Sequence, residues 1–109
     1  MELTKKHCVP CEGGIPPMTE EEEEKYIDDL YNWELVRRGT HMLKKAFRFP
    51  DFKKAIEFVN KVADLAENEG HHPNITINYS MVNIELYTHA VGGLTENDFI
   101  LAAKMDEID

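Results

Sequence analysis

Three histidines carry most of the chemical interest in this chain: His71, His72 and His89. Free imidazole titrates near pH ~6.5, so such residues can give or take a proton close to neutrality. No serine or cysteine nucleophile stands beside them, which favours proton transfer over covalent catalysis. Glu67 stands four residues before His71. On a helix reaching that far, both share one face, and the carboxylate would raise the imidazole's proton affinity. Asp98 pairs with Thr95 at the spacing of a helix capping box, and it could also orient a histidine. Two blander readings stand beside this one: ordinary polar surface histidines, and a zinc site built from the three histidines with Glu67 or Asp98. Adjacent His71 and His72 would tend to point to different sides, which counts against shared ligation. Cys8-Val9-Pro10-Cys11 is half of a four-ligand zinc site or a redox pair. Its completion needs His7, Glu12 or another subunit; otherwise the segment packs against the domain or a neighbour. His7 and His41 receive no role.

The elements that would position these residues follow from patterning. Lys5 to Met18 contains three prolines and a Gly-Gly pair and reads as an irregular arm, so residues 1–18 are set apart. Thr19 and Glu22 open a helix whose glutamates, Glu20 to Glu24, read as a solvated start favoured by the helix dipole. Tyr26, Ile27, Leu30 and Tyr31 supply its apolar stripe. Trp33 to Arg38 and His41 to Phe49 read as paired strands, with Leu43, Phe47 and Phe49 inward and Lys45 the exception; Trp33 is core or pocket wall. Asp51 caps a long helix carrying Phe52, Ala55, Ile56, Val59, Val62, Ala63 and Ala66, flanked by Phe58 and Leu65. Gly70 is placed to end it, which puts His71-His72-Pro73 on its exit. Ile75, Ile77 and Tyr79 are apolar at odd positions and Val82, Ile84 and Leu86 at even ones, so a turn or bulge lies near Tyr79 to Met81. His89 sits at the following strand end. Gly92-Gly93 breaks the chain before a last helix running to about Ile108, with Phe99, Leu101, Ala102, Met105 and Ile108 on its packing face. The expected fold is α+β, order αββαββα: a four-stranded, mostly antiparallel sheet with helices on one face. Residues 19–109 form its single domain. The histidines then bracket the second hairpin at one end of the sheet.

Composition limits the rest. A 109-residue chain has room for one core-bearing domain, and its net charge of −9 would repel nucleic acid and anionic lipid. No apolar run approaches a membrane span and no signal-peptide pattern opens the chain, so the expected location is the cytoplasm. Two cysteines do not make a disulfide framework.

Glu67, His71-His72-Pro73, Tyr79, His89 and Asp98 together resemble the signature of the pterin-4a-carbinolamine dehydratase family. Phe47 to Phe52 and Gly93-Leu94-Thr95 are similar as well, so the likeness spans about residues 19 to 109, and the Cys-Val-Pro-Cys arm looks like an extension of microbial members. The resemblance implies dehydration of 4a-hydroxytetrahydropterin (4a-hydroxytetrahydrobiopterin) to quinonoid dihydropterin and water, in tetrahydrobiopterin recycling, without metal or organic cofactor. It implies a catalytic set of His71, His72 and His89. His71 would serve as acid to the leaving hydroxyl, His89 as its partner and His72 as an orienting residue, with the acid and base order open to reversal. Glu67 and Asp98 would bind or support. A pterin partner and self-association into a dimer or tetramer are implied too. The alternatives are a non-enzymatic dimerisation scaffold, a role that animal members also play, and a metal-binding protein using the same histidines.

Overall fold

The computed structural model describes residues 2–9 and 15–108. Cys11, and with it the second half of the Cys-Val-Pro-Cys motif, lies outside them. Helix α1 (Glu20–Ile27) opens on the Thr19–Glu22 capping box, with both reciprocal bonds formed. It ends earlier than its stripe suggests: Tyr26, Ile27 and Leu30 still pack on the core, but Tyr31 is 72% exposed in the turn that follows. Asn32, at φ 60°, redirects the chain there, and the i, i+4 register does not survive the change.

Strand β1 (Glu34–Val36) pairs antiparallel with β2 (Met42–Arg48). The inward row of β2 is Leu43, Lys45 and Phe47, and Lys45 is accommodated by its ends. Its ammonium meets Asp106 at 2.6 Å and the Tyr31 carbonyl at 2.8 Å while lying over the Phe47 ring. The same Asp106 carboxylate accepts the Trp33 indole N–H at 3.0 Å, which allows that large side chain to be buried.

Helix α2 (Phe52–Glu69) is capped by Asp51, whose Oδ1 accepts Lys54 N–H at 2.8 Å. Its buried face is Ala55, Phe58, Val62 and Ala66. This stripe is narrower than the apolar pattern, which leaves Phe52 and Ala63 on the open side. Strands β3 (Asn74–Asn78) and β4 (Met81–Leu86) are joined by the two-residue loop Tyr79-Ser80, with Tyr79 at φ 54°. Ile75 faces Ile84 and Ile77 faces Val82. A two-residue loop pairs odd positions with even ones, which accounts for the parity switch in the sequence.

The sheet order is β1-β2-β4-β3, antiparallel throughout. Leu43, Val82, Ile84 and Leu86 are fully buried beneath α2 and α3 (Glu96–Asp106), while Lys44, Ala46 and Arg48 on the opposite face are exposed. The fold is therefore the expected α+β arrangement with the helices on one face. Helix α3 is buried nearly all round, because the segment Leu3–Lys5 packs against its remaining side. A single 3-10 turn, Leu3–Lys5, packs there with Leu3 in the core, so the start of the arm is ordered.

One expectation about charge is corrected. Glu23, within the glutamate run taken as solvated, is fully buried. Arg37 Nε at 3.0 Å and His41 Nδ1 at 2.9 Å converge on it from the β1–β2 connection, so two donors replace its water. That contact holds the Arg37 guanidinium above its usual range.

Candidate active site

Two chain exits form the site. At the first, Gly70 adopts the left-handed conformation (φ 68°), and its N–H bonds the Ala66 carbonyl at 2.9 Å. The chain therefore leaves the helix axis before His71. Glu67 and His71 consequently do not meet as a helical pair. Glu67 reaches His72 Nε2 at 2.5 Å near the surface, and His71 turns inward. At the second exit, β4 runs into Tyr87-Thr88 and a single 3-10 turn, His89–Val91, whose first residue presents His89 to solvent. The Tyr87 ring lies edge-on to the His89 ring at 6.2 Å.

His71 Nε2 lies 2.6 Å from Oδ1 of Asp98, which is fully buried. The other carboxylate oxygen accepts the Thr88 hydroxyl at 2.8 Å and the Thr95 N–H at 2.9 Å. Asp98 thus joins the start of α3, the exit of β4 and His71. Since a carboxylate only accepts, Nε2 carries the proton in this contact, and Nδ1 is the nitrogen left to exchange a proton elsewhere.

Gly70, His71 and His72 from the first exit and Tyr87, Thr88, His89 and Ala90 from the second line one cleft of about 310 Å³. Asn97 of α3 and Val9 of the N-terminal segment complete it. The three predicted histidines are brought together; buried Asp98 lies behind His71, and exposed Glu67 holds His72 at the surface. Among the described residues, no three His, Cys, Asp or Glu side chains are arranged to hold a metal ion. His71 and His72 turn to different carboxylates, as neighbouring residues must on an extended exit.

Four residues near the site escaped the sequence reading: Thr88, Asn97, Val9 and Glu69. A signal for Thr88 did exist. Position 88 continues the inward parity of Val82, Ile84 and Leu86, so a threonine there is a buried hydroxyl in need of a partner. Glu69 gave none. Burial would push its carboxyl up, but hydrogen bonds from Lys104 (2.6 Å), the Cys8 N–H (2.8 Å) and His7 (3.1 Å) outweigh that and bring it down to about 2.

The comparisons with known proteins concern the family and the fold. The sequence profile described as pterin 4 alpha carbinolamine dehydratase matches residues 16–108. A Rickettsia canadensis relative assigned by name to pterin-4-alpha-carbinolamine dehydratase is 50% identical over 105 residues, covering 95% of this chain and 94% of the relative. A Methylococcus capsulatus relative named likewise is 51% identical over 106 residues, covering 97% and 92%. Among solved structures, a transcriptional coactivator/pterin dehydratase from Brucella melitensis superposes with a TM-score of 0.78 at 33% identity, covering 83% of this chain and 95% of that one. A pterin dehydratase-like protein described as a RuBisCO assembly factor of the alpha-carboxysome gives a TM-score of 0.60 at 30% identity, covering 70% and 87%. With its profile, its relatives and its fold in agreement, the chain belongs to the pterin-4a-carbinolamine dehydratase family.

Proposed function

We propose that this protein dehydrates a 4a-hydroxytetrahydropterin to the quinonoid dihydropterin by histidine acid/base catalysis, as a step of tetrahydrobiopterin recycling. The observation that carries the reading is the shared cleft, in which His71, backed by buried Asp98, and His89 arrive from two different element exits. The reaction breaks the C4a–O bond, and the oxygen leaves as water with a proton from the acid. The N5 proton passes to the base as the N5=C4a double bond forms. Two proton transfers balance the step, and no electrons are exchanged with an outside group. His71 is the acid in this assignment and His89 the base, with His72, held by Glu67, at the rim to orient the ring. A cleft of about 310 Å³ suits a bicyclic ligand with one edge in solvent. Among the described residues no helix is long and apolar enough to cross a membrane, in keeping with a cytoplasmic enzyme acting on a dissolved pterin. Self-association would use the open edges of the sheet, β1 and β3.

The test is direct. The 4a-hydroxytetrahydropterin is generated in solution, the protein added, and quinonoid dihydropterin followed spectroscopically. The expected result is acceleration over the spontaneous rate in proportion to protein; no acceleration overturns the reading. The assembly-factor description of one structural neighbour favours a second reading, a non-catalytic binding role. Partner binding unchanged by a His71→Ala/His89→Ala double variant, with no dehydration by the wild type, would support it.

A further inference from the structure

We propose that the N-terminal arm, which lies outside the family profile at 16–108, supplies a wall of the histidine cleft, with Val9 as a specificity-determining residue. This rests on the dehydratase reading of the same cleft. Val9 lines the cleft although it belongs to no helix or strand. The residue is 65% exposed, yet its backbone is fixed. Asn97 is buried, and its Oδ1 accepts the Val9 N–H at 3.0 Å while its Nδ2 donates to the Val9 carbonyl at 2.7 Å. A side-chain amide that grips both polar groups of one residue does what a neighbouring strand would do. It sets the direction in which that residue's side chain points. One residue earlier, Glu69 accepts the Cys8 N–H and the His7 ring, and Lys104 neutralises its buried charge. The arm is thus anchored on both α2 and α3, immediately beside the exit that carries His71.

An anchored but exposed valine at a cleft mouth is the geometry of a contact that a ligand completes. A flat heteroaromatic ring entering between His71 and His89 would cover Val9, exchanging its water for ring surface. Val9 and Asn97 also border a second, mostly apolar recess of about 210 Å³ with Ile15 and Val91. Val9 and Asn97 therefore stand between the histidine cleft and that recess and limit how far a ligand can slide. Such a wall acts equally on substrate and transition state, so it belongs in KM rather than in kcat.

The experiment uses the full-length protein with Val9→Gly, Val9→Ile and Glu69→Gln. Dehydration kinetics are measured alongside calorimetric titration with 7,8-dihydrobiopterin, a pterin without the leaving hydroxyl. Val9→Gly is expected to raise KM and weaken dihydrobiopterin binding by about 3- to 10-fold with kcat within about twofold, as loss of part of one apolar contact predicts. Val9→Ile should keep wild-type values. Glu69→Gln should shift KM in the same direction and speed hydrogen exchange at the Cys8 amide. Wild-type KM and affinity in Val9→Gly overturn the arm's role and leave the dehydratase reading standing. A wild type that neither binds dihydrobiopterin nor accelerates dehydration overturns both.

Discussion

Asp98 is asked to accept from three donors at once, and no other side chain of its size can do so. Asparagine offers one accepting oxygen and one donating NH2. Turned either way, it sets N–H against N–H at His71 or at the Thr95 amide. Asp98→Asn should therefore remove the carboxylate that holds His71 in its protonated, proton-giving form and lower kcat by about 10²–10⁴-fold, the range for a lost proton-transfer group and its orienting carboxylate. His71→Ala and His89→Ala should each fall in the same range with the fold intact. If His71 and Asp98 act as a unit, the double variant His71→Ala/Asp98→Asn costs little more than either change alone. Steady-state kcat across the four variants checks this, and a wild-type kcat in Asp98→Asn would remove Asp98 from the mechanism. His72 and Glu67 pair nearer the surface, where water competes, so Glu67→Gln should act more weakly and on KM.

Chain exits do most of the positioning at the level of elements. Gly70 ends α2, and Gly93 allows residues 15–18 to lie against the start of α3. A Cβ at Gly93 would stand 2.7 Å from Pro17 Cβ, and a proline ring bound into the chain has little room to yield. The next residues reinforce the contact, since Met18 N–H donates to the Leu94 carbonyl at 2.8 Å. Gly93→Ala is thus expected to cost about 1–3 kcal/mol through overpacking. With about 4–8 °C of Tm for each kcal/mol in a domain of this size, calorimetry should resolve the drop readily. An unchanged Tm would mean that Pro17 moves aside freely.

For the molecule as a whole, the net charge of −9 says less about partners than about which carboxylates are held. Glu69 ordinarily titrates near 4.5 and here sits at about 2. Below pH ~4.5 the unfolded chain takes up that proton before the folded one does, so folding loses stability as pH falls. The contribution is complete above the unfolded value and fades as pH drops from about 4.5 to about 2. Glu96, lowered by Lys6 with help from the Tyr26 hydroxyl, acts in the same direction. Urea midpoints measured across this window should fall, and Glu69→Gln should flatten the fall. A variant as acid-sensitive as the wild type would show that the arm's anchor contributes nothing to stability. Both carboxylates tie the N-terminal segment to the body, so acid should release the arm as it weakens the fold.

The order of elements, a turn or bulge near Tyr79 to Met81, the caps at Thr19, Asp51 and Gly70 and the candidate histidines were all legible in the chain. Each depends on residues within a turn or two of one another, where spacing alone fixes which side chains share a face. Lys45 was legible only as an exception to a pattern, Glu23 was read as solvated, and Thr88 was not singled out. Their partners Asp106, Arg37 and Asp98 lie 61, 14 and 10 residues away. Spacing likewise suggested Glu67 for His71, whereas the left-handed turn at Gly70 sends His71 to Asp98 and leaves Glu67 to His72. Sequence by itself thus determined which elements form and which residue types reach the end of the sheet. Only the tertiary structure decided which carboxylate holds which histidine, and that Val9 lines the cleft beside them. Those choices depend on contacts between distant segments, and a linear pattern holds no record of which buried donor meets which acceptor.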